Sequence, residues 1–321
     1  MVMQARMMQV VALVAALFEP CAAWAGDMGD ATKAYDRGDY ASALTIVREN
    51  VAQGNAFAQY LFGEMYHNGR GVPQDAREAA KWYRLAAEQG LVFAQSRLGV
   101  MYYNGTGVPQ DNAEAAKWYR LAAEQGDVDA QLNLGVMYSY GEGVPRDERE
   151  AFRWHRLAAE QGDAFAQFNL GVMYDNGRGV LMDDREAAKW YRLAAEQGHA
   201  GAQANLGLLY DNGTGVLQDD REALKWYRRA AAKGIAVAMQ NLGAMYGGAE
   251  GVPKDFVRAH MWSNLAAAAG AGDGAVGNRD GIARRMTPAQ IAEAQRLARE
   301  CLASNYKRCG EPGERPATPA R

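Results

Sequence analysis

Tryptophan recurs in this chain at a constant spacing: Trp82, Trp118, Trp154, Trp190, Trp226 and Trp262 each lie 36 residues after the last. An alanine series keeps the same step, from Ala58 through Ala94, Ala130, Ala166 and Ala202 to Ala238. A fixed period of this length means that one supersecondary unit is copied and stacked, each copy burying its apolar face against its neighbours. A chain of 321 residues would otherwise suggest two globular domains. The period replaces that expectation with six copies between residues 56 and 270.

One copy shows what the unit must be. Ala94, Leu98, Met101 and Tyr102 fall on one face of a helix with a 3.6-residue period. Asn104-Gly105-Thr106-Gly107-Val108-Pro109 ends that helix, because glycine accepts positive φ and proline cannot continue the hydrogen-bond ladder. Asp111 and Glu114 then form a variant capping box, each side chain expected to satisfy an orphan backbone N–H. The second helix carries Ala115, Trp118, Tyr119 and Ala122 on one face and stops at Gly126. Glycine also recurs inside the first helix, as Gly63, Gly99, Gly135, Gly171, Gly207 and Gly243. Glycine costs about 0.5–1 kcal/mol there relative to alanine. Paying it in every copy predicts a close approach of helices, with the six tryptophans as the large partners in an interdigitated core. The aromatic stripe therefore reads as packing rather than as a ligand cage.

Ala94-Gln95, Leu98-Gly99, Met101-Tyr102, Gly105-Thr106-Gly107-Val108 and Ala115-Ala116-Lys117-Trp118-Tyr119 make up a pattern that resembles the SEL-one-like repeat, a branch of the tetratricopeptide superfamily. The resemblance covers about two thirds of the chain. It implies an all-α fold, a right-handed superhelical solenoid of antiparallel helix pairs, that serves as an adaptor for other proteins and carries no catalytic residues at repeat positions. Some copies depart from the pattern: Leu181 and Leu217 replace a proline, His155 replaces a tyrosine, and Arg258 replaces the capping glutamate.

Both flanks read as caps. Residues 26–55 form an N-terminal half-repeat whose segment Ala34 to Ala43 resembles the inter-helix turn of a tetratricopeptide unit. Residues 271–304 are expected to hold degenerate capping helices, with Thr287-Pro288-Ala289-Gln290 as a capping box. A tail follows over 305–321, with its proline-rich part from 311 expected to be disordered. Residues 1–25 read as a signal peptide: Arg6, the nine apolar residues Val10 to Phe18, and a small-x-small site at Ala23-Trp24-Ala25. The apolar run is far short of the roughly 18–20 residues that span a bilayer, so no integral membrane segment is expected. Phe18-Glu19-Pro20 is a poor lipidation context for Cys21. The mature chain would then be periplasmic or secreted, and there Cys301 and Cys309 could persist as a disulfide. In one continuous helix they would lie about 12 Å apart, whereas a bridge needs Cα atoms within roughly 7 Å. Pairing therefore requires the helix to end near Ser304 and fold back; two free thiols are the alternative.

The chemistry-bearing residues are sparse. The four histidines, His67, His155, His199 and His260, show no metal-ligand spacing, and no metal or cofactor is implied. With 35 basic against 38 acidic residues no basic stripe stands out, which argues against nucleic acid as a partner. Ser304-Asn305-Tyr306-Lys307 fits the Ser-x-x-Lys of penicillin-binding enzymes, but its companion motifs are missing. A cell-wall or β-lactam hydrolase is thus the weaker alternative to a monomeric scaffold for a protein or peptide. Tetratricopeptide resemblance places the ligand groove, about 60 Å long at helix-packing distances, on the first helices. One first-helix position reads Leu61, Arg97, Asn133, Asn169, Asn205 and Asn241. Such amides could bond the backbone of an extended peptide or tie neighbouring helices together. The position before it varies, as Tyr60, Ser96, Leu132, Phe168, Ala204 and Gln240, and would set specificity.

Overall fold

The computed structural model describes residues 22–248, 250–306 and 309. The expected leader up to residue 21 and the tail from 311 lie outside the described residues. Among those described there are sixteen α-helices and no strand. Two precede the repeats: α1 (Ala22–Asp36) and α2 (Tyr40–Ala52). The six copies supply α3 (Ala56–Asn68) and α4 (Ala76–Glu88), α5 (Val92–Asn104) and α6 (Asn112–Glu124), α7 (Val128–Tyr140) and α8 (Glu148–Glu160), α9 (Ala164–Asn176) and α10 (Asp184–Glu196), α11 (Ala200–Asn212) and α12 (Asp220–Ala231), and α13 (Ala236–Gly248) and α14 (Phe256–Ala268). Two more follow, α15 (Asp273–Ala283) and α16 (Pro288–Ala303). The fold class is an all-α solenoid. The chain divides into two compact units, Met1–Trp154 and His155–Arg321. Within each, helices pack consecutively, both inside a repeat (α3 on α4, α11 on α12) and from one repeat to the next (α4 on α5, α12 on α13).

The recurring glycine does mark a close approach, but its partner is not tryptophan. A Cβ on Gly99 would lie 2.7 Å from Tyr119 Cδ1, and one on Gly171 would lie 2.6 Å from Tyr191 Cδ1. In repeats one, two, four and five the second helix thus lays a tyrosine ring on the first helix of the same repeat, whereas in the sixth Ser263 stands against Gly243. Tyr83, Tyr191 and Tyr227 are fully buried. Of the tryptophans one position earlier, Trp154, Trp226 and Trp262 are buried, while Trp82, Trp118 and Trp190 are half-buried. The expectation of a tryptophan–glycine pairing is corrected accordingly. Tryptophan is one residue, about 100° of helix turn, away from the tightest seam and covers its flank.

The loop between the two helices has a second contact role. Its first glycine, Gly105, is a left-handed C-cap at φ 68°. Its second, Gly107, has φ 73° and so little space that a Cβ would meet the Ala76 carbonyl oxygen at 2.1 Å. That carbonyl belongs to the start of the preceding repeat's second helix, so the loop packs repeat on repeat. The capping box is half of what its spacing suggests. Asp111 accepts from Ala113 N at 2.9 Å and Glu114 N at 3.0 Å. Its own N–H donates to Tyr102 O at 2.9 Å, which closes the loop. Glu114 is thereby released to pair with Lys117. In the sixth repeat Arg258 reaches back to Asp255 at 3.6 Å, so exchanging glutamate for arginine keeps a partner for the cap. Leu181 and Leu217, in place of proline, leave the same closure intact through Asp183 N to Tyr174 O and Asp219 N to Tyr210 O, both 3.0 Å.

Two polar series bind repeat to repeat. A buried glutamine on four of the first helices donates to a carbonyl on the preceding second helix: Gln95 to Ala87 at 3.1 Å, Gln131 to Ala123 at 3.0 Å, Gln167 to Ala159 at 3.2 Å and Gln203 to Ala195 at 3.0 Å. Its own carbonyl accepts from a glutamine at the end of the same repeat, as in Gln125 to Gln95 and Gln197 to Gln167, both 2.8 Å. Arginine supplies the second series, Arg84 to the Tyr102 hydroxyl, Arg120 to Tyr138, Arg192 to Tyr210, and Arg228 to Tyr246 at 2.6 Å.

At the N-terminal flank, Asp39 caps α2 by accepting from Ser42 N at 3.2 Å, and α2 packs on α3. At the other flank the glycine-rich stretch is a helix, α15, and both it and α16 pack on α14. Thr287 and Gln290 form a reciprocal capping box, at 3.3 and 2.9 Å. The helix α16 ends at Ala303. Asn305 and Tyr306 then turn through positive φ, and Cys301 and Cys309 are joined with Cα atoms 4.5 Å apart.

Candidate peptide-binding face

The first helix of each repeat carries the residues expected to meet a partner, and their neighbours decide what each offers. In the unit Met1–Trp154, Tyr60 is only 6% exposed. It is enclosed by Phe57, Tyr83 and Phe93, with ring centroids 6.0, 5.8 and 6.0 Å away. Leu61 is buried as well. Tyr60 is therefore a core residue, a correction to its expected place on the groove: the aromatic of the next repeat covers it. Arg97 Nε donates to Glu64 Oε1 at 2.9 Å, and the Tyr83 hydroxyl donates to the same oxygen at 2.8 Å. Asn133 turns its amide back to Asp129 O, four residues earlier, at 2.9 Å. Ser96 donates to Asp127 at 3.1 Å, and Asp127 in turn caps α7.

In the unit His155–Arg321 the asparagines join a relay. Asn205 hydrogen-bonds the Tyr191 hydroxyl, which donates to Asp175 at 3.1 Å. Asn241 does the same for Tyr227, whose hydroxyl donates to Asp211 at 3.1 Å. Burial first, and the adjoining carboxylate second, pushes both phenols well above their ordinary range. They stay protonated donors at neutral pH. The half-buried Asn169 occupies the equivalent position on α9. Part of the asparagine row thus ties helices of neighbouring repeats, and what it can still offer a ligand is the remaining hydrogen-bonding capacity of each amide.

More surface is offered by residues that spacing did not single out. Phe165 on α9 is 61% exposed, Val237 on α13 is 53% and Leu208 on α11 is 44%. Phe168 is half-buried and stacks on His199 with centroids 4.3 Å apart. Leu181 and Leu217 are 89% and 90% exposed on successive loops. The signal that could have found Phe165 was a second variable first-helix position, reading Phe57, Phe93, Asp129, Phe165, Gly201 and Val237. Among the described residues no cluster of histidine, cysteine and carboxylate groups could hold a metal ion, and no helix is long and apolar enough to cross a membrane. Ser304 Oγ donates to Cys301 O at 2.7 Å within the C-terminal cap. Lys307, its partner in the Ser-x-x-Lys match, lies outside the described residues.

A stack of helix pairs with a constant seam and variable first-helix surface is the architecture of an α-solenoid. The family described as Sel1 repeat matches six consecutive stretches, 56–91, 92–127, 128–163, 164–199, 200–235 and 236–270. The chain belongs to the Sel1 repeat family. Among solved structures it is similar to a Sel1 repeat protein from Oxalobacter formigenes, at 37% identity and a TM-score of 0.65, over 75% of this chain and 96% of that one. It is also similar to a protective antigen present in uropathogenic Escherichia coli strains, described as displaying an SLR fold. That match has 25% identity and a TM-score of 0.49, over 94% and 96% of the two chains. A comparison with functionally curated proteins gives no match.

Proposed function

We propose that this chain is an exported, non-catalytic scaffold of the cell envelope that holds protein or peptide partners on the first helices of its repeats. The observation that carries the reading is the division of labour within each copy. The glycine, tyrosine, glutamine and arginine positions recur in most copies and serve packing, while a first-helix position that is exposed at Phe165 and Val237 changes from copy to copy. A surface that varies on a constant frame suits recognition of different chemistry by successive repeats. Export is supported by the Cys301–Cys309 bridge, since such bonds persist in oxidising compartments.

The reading is tested by crosslinking in the native envelope and identifying what co-purifies with the full chain. A stoichiometric partner, together with a mature N-terminus at Gly26 by end-group sequencing, is the expected result. A cytosolic chain that begins at Met1 and retains nothing overturns it. Turnover of nitrocefin by the purified protein, lost in Ser304→Ala, would favour the hydrolase instead.

A further inference from the structure

Charge is divided unevenly between the two helices of the repeats. The six first helices carry four carboxylates, Glu64, Asp129, Asp175 and Asp211, against one arginine, Arg97, and no lysine. The second helices carry four lysines, each paired with the glutamate three residues before it: Lys81 with Glu78, Lys117 with Glu114, Lys189 with Glu186 and Lys225 with Glu222. Arg97 is spent as well, because its Nε donates to Glu64 Oε1 at 2.9 Å. The first helices therefore keep acidic groups that the chain does not neutralise.

In the unit Met1–Trp154 one of these groups stands near a phenol that lacks its usual acceptor. In repeats one, four and five the seam tyrosine donates to a carboxylate of its own first helix: Tyr83 to Glu64 at 2.8 Å, and Tyr191 to Asp175 and Tyr227 to Asp211, both at 3.1 Å. For Tyr119 those two first-helix positions are Val100 and Tyr103. Asn133 matches the asparagines that bond Tyr191 and Tyr227, but its amide turns to Asp129 O at 2.9 Å instead. The Tyr119 side chain is only 2% exposed, yet its hydroxyl is not sealed from solvent and no described residue bonds to it. The Asp129 side chain is exposed and has no ion-pair partner among the described residues. Asp127 uses Oδ1 for both Ser96 Oγ at 3.1 Å and Ala130 N at 2.8 Å, which leaves Oδ2 unpaired. Burial first, opposed by the Ala130 bond and reinforced by the Asp129 charge, raises the Asp127 carboxyl above its ordinary range. Burial first, then Tyr103 and the two aspartates, raises the Tyr119 phenol well above its own, so it stays protonated at neutral pH.

We propose that Asp129, Asp127 and Tyr119 bind a cationic side chain, arginine or lysine, of a peptide held on the first helices. The cation donates to the Asp129 carboxylate and to the Tyr119 oxygen, and the Tyr119 proton is left for a backbone carbonyl of the peptide. The occupant is argued from charge: the face carries surplus carboxylates, both aspartates lack a cation, and a cation relieves their repulsion. Repeat one shows the chemistry satisfied internally, where Arg97 joins the Tyr83 hydroxyl on Glu64. The word peptide rests on the scaffold reading; the cation does not.

The probe is acetyl-Gly-Arg-Gly amide, titrated at low ionic strength into the isotope-labelled full chain and followed by NMR at Ser96, Asp129 and Asn133. Its control carries citrulline, which keeps the shape of arginine and loses the charge. Saturable shifts with a Kd on the order of 10 mM are expected, weakening as salt rises, with the citrulline peptide at least about tenfold weaker. Asp129→Asn, at an exposed position, should weaken the arginine peptide about tenfold. Tyr119→Phe keeps a ring against Gly99 and should weaken it about fivefold. Glu88→Gln, at an exposed carboxylate of α4, should change nothing. Equal binding of the two peptides, no saturation by the arginine peptide, or unchanged affinity in Asp129→Asn or Tyr119→Phe overturns the proposal. If the arginine peptide binds as expected while the chain retains no envelope partner, the scaffold reading fails and the cation site stands. If a partner is retained equally by wild type and Asp129→Asn and the arginine peptide does not saturate, the site fails and the scaffold reading stands.

Discussion

The seam between Gly171 and Tyr191 leaves no room for a methyl group, since a Cβ would sit 2.6 Å from a ring carbon. Alanine is the better helix former by about 0.5–1 kcal/mol, yet overpacking a filled core costs about 1–3 kcal/mol. Steric cost should win. Gly171→Ala is expected to lower the thermal midpoint, and a raised midpoint would show that the tyrosine can slide. Gln203 poses the opposite problem. Its Oε1 is buried without a hydrogen-bond partner, because the residue that would donate to it is Lys233 where earlier copies have Gln89, Gln125 and Gln197. Lys233 Nζ instead reaches the Gly198 carbonyl oxygen of the previous repeat. Lys233→Gln should restore the amide-to-amide bond and stabilise the protein by about 1 kcal/mol. Chemical denaturation of the two proteins decides it, and a variant of equal or lower stability would sink the idea.

At the scale of the element, the C-terminal cap is the piece whose stability can be changed alone. The helix α16 packs on α14, and Tyr306 beyond it approaches the backbone of Gly234, where an added Cβ would lie 3.5 Å from the ring. Closing a loop of this size by a disulfide stabilises by about 2–3 kcal/mol in the chain-entropy picture. Replacing Cys309 with serine should therefore accelerate hydrogen exchange through α16 and leave α9 to α12 protected. Uniform loss of protection along the chain would mean that the cap and the repeats unfold as one. This turn was legible in the sequence only as a condition: if Cys301 and Cys309 pair, the helix has to stop near Ser304. Helix pairs, loops and six copies were legible, since period and turn chemistry are local. Partners across the stack were not. The period says that Gly99 is constant but not that it faces Tyr119 rather than Trp118. It also says that Gln95 recurs, while its two bonds run to residues 8 earlier and 30 later. Tyr60 looked like a groove residue because its position varies; its burial is decided by Phe93, on the next repeat.

For the whole molecule, the sharpest consequence of burial is its response to acid. His155 sits where Tyr83, Tyr119, Tyr191 and Tyr227 stand in other copies, and it is buried with Nδ1 lacking a hydrogen-bond partner. Burial pushes its imidazole down to about 4. His199 and His260 are also lowered, by burial first and then by the charges of Lys233 and Arg279 respectively. The unfolded chain binds a proton at each site near the ordinary histidine value of about 6.5. Between that pH and the folded value the unfolded state holds more protons, so stability is full above about 6.5 and falls as the pH drops. For His155 the window closes near 4. The whole loss over it is about 3 kcal/mol at 1.36 kcal/mol per pKa unit. Repeat arrays need not unfold in one step, so the measurement is the exchange protection of α8 and α9 amides at pH 7, 5.5 and 4, not a single midpoint. His155→Tyr installs a side chain that does not titrate in this range and should flatten the dependence, leaving only the smaller share from His199 and His260. An unchanged slope in that variant would remove His155 from the account.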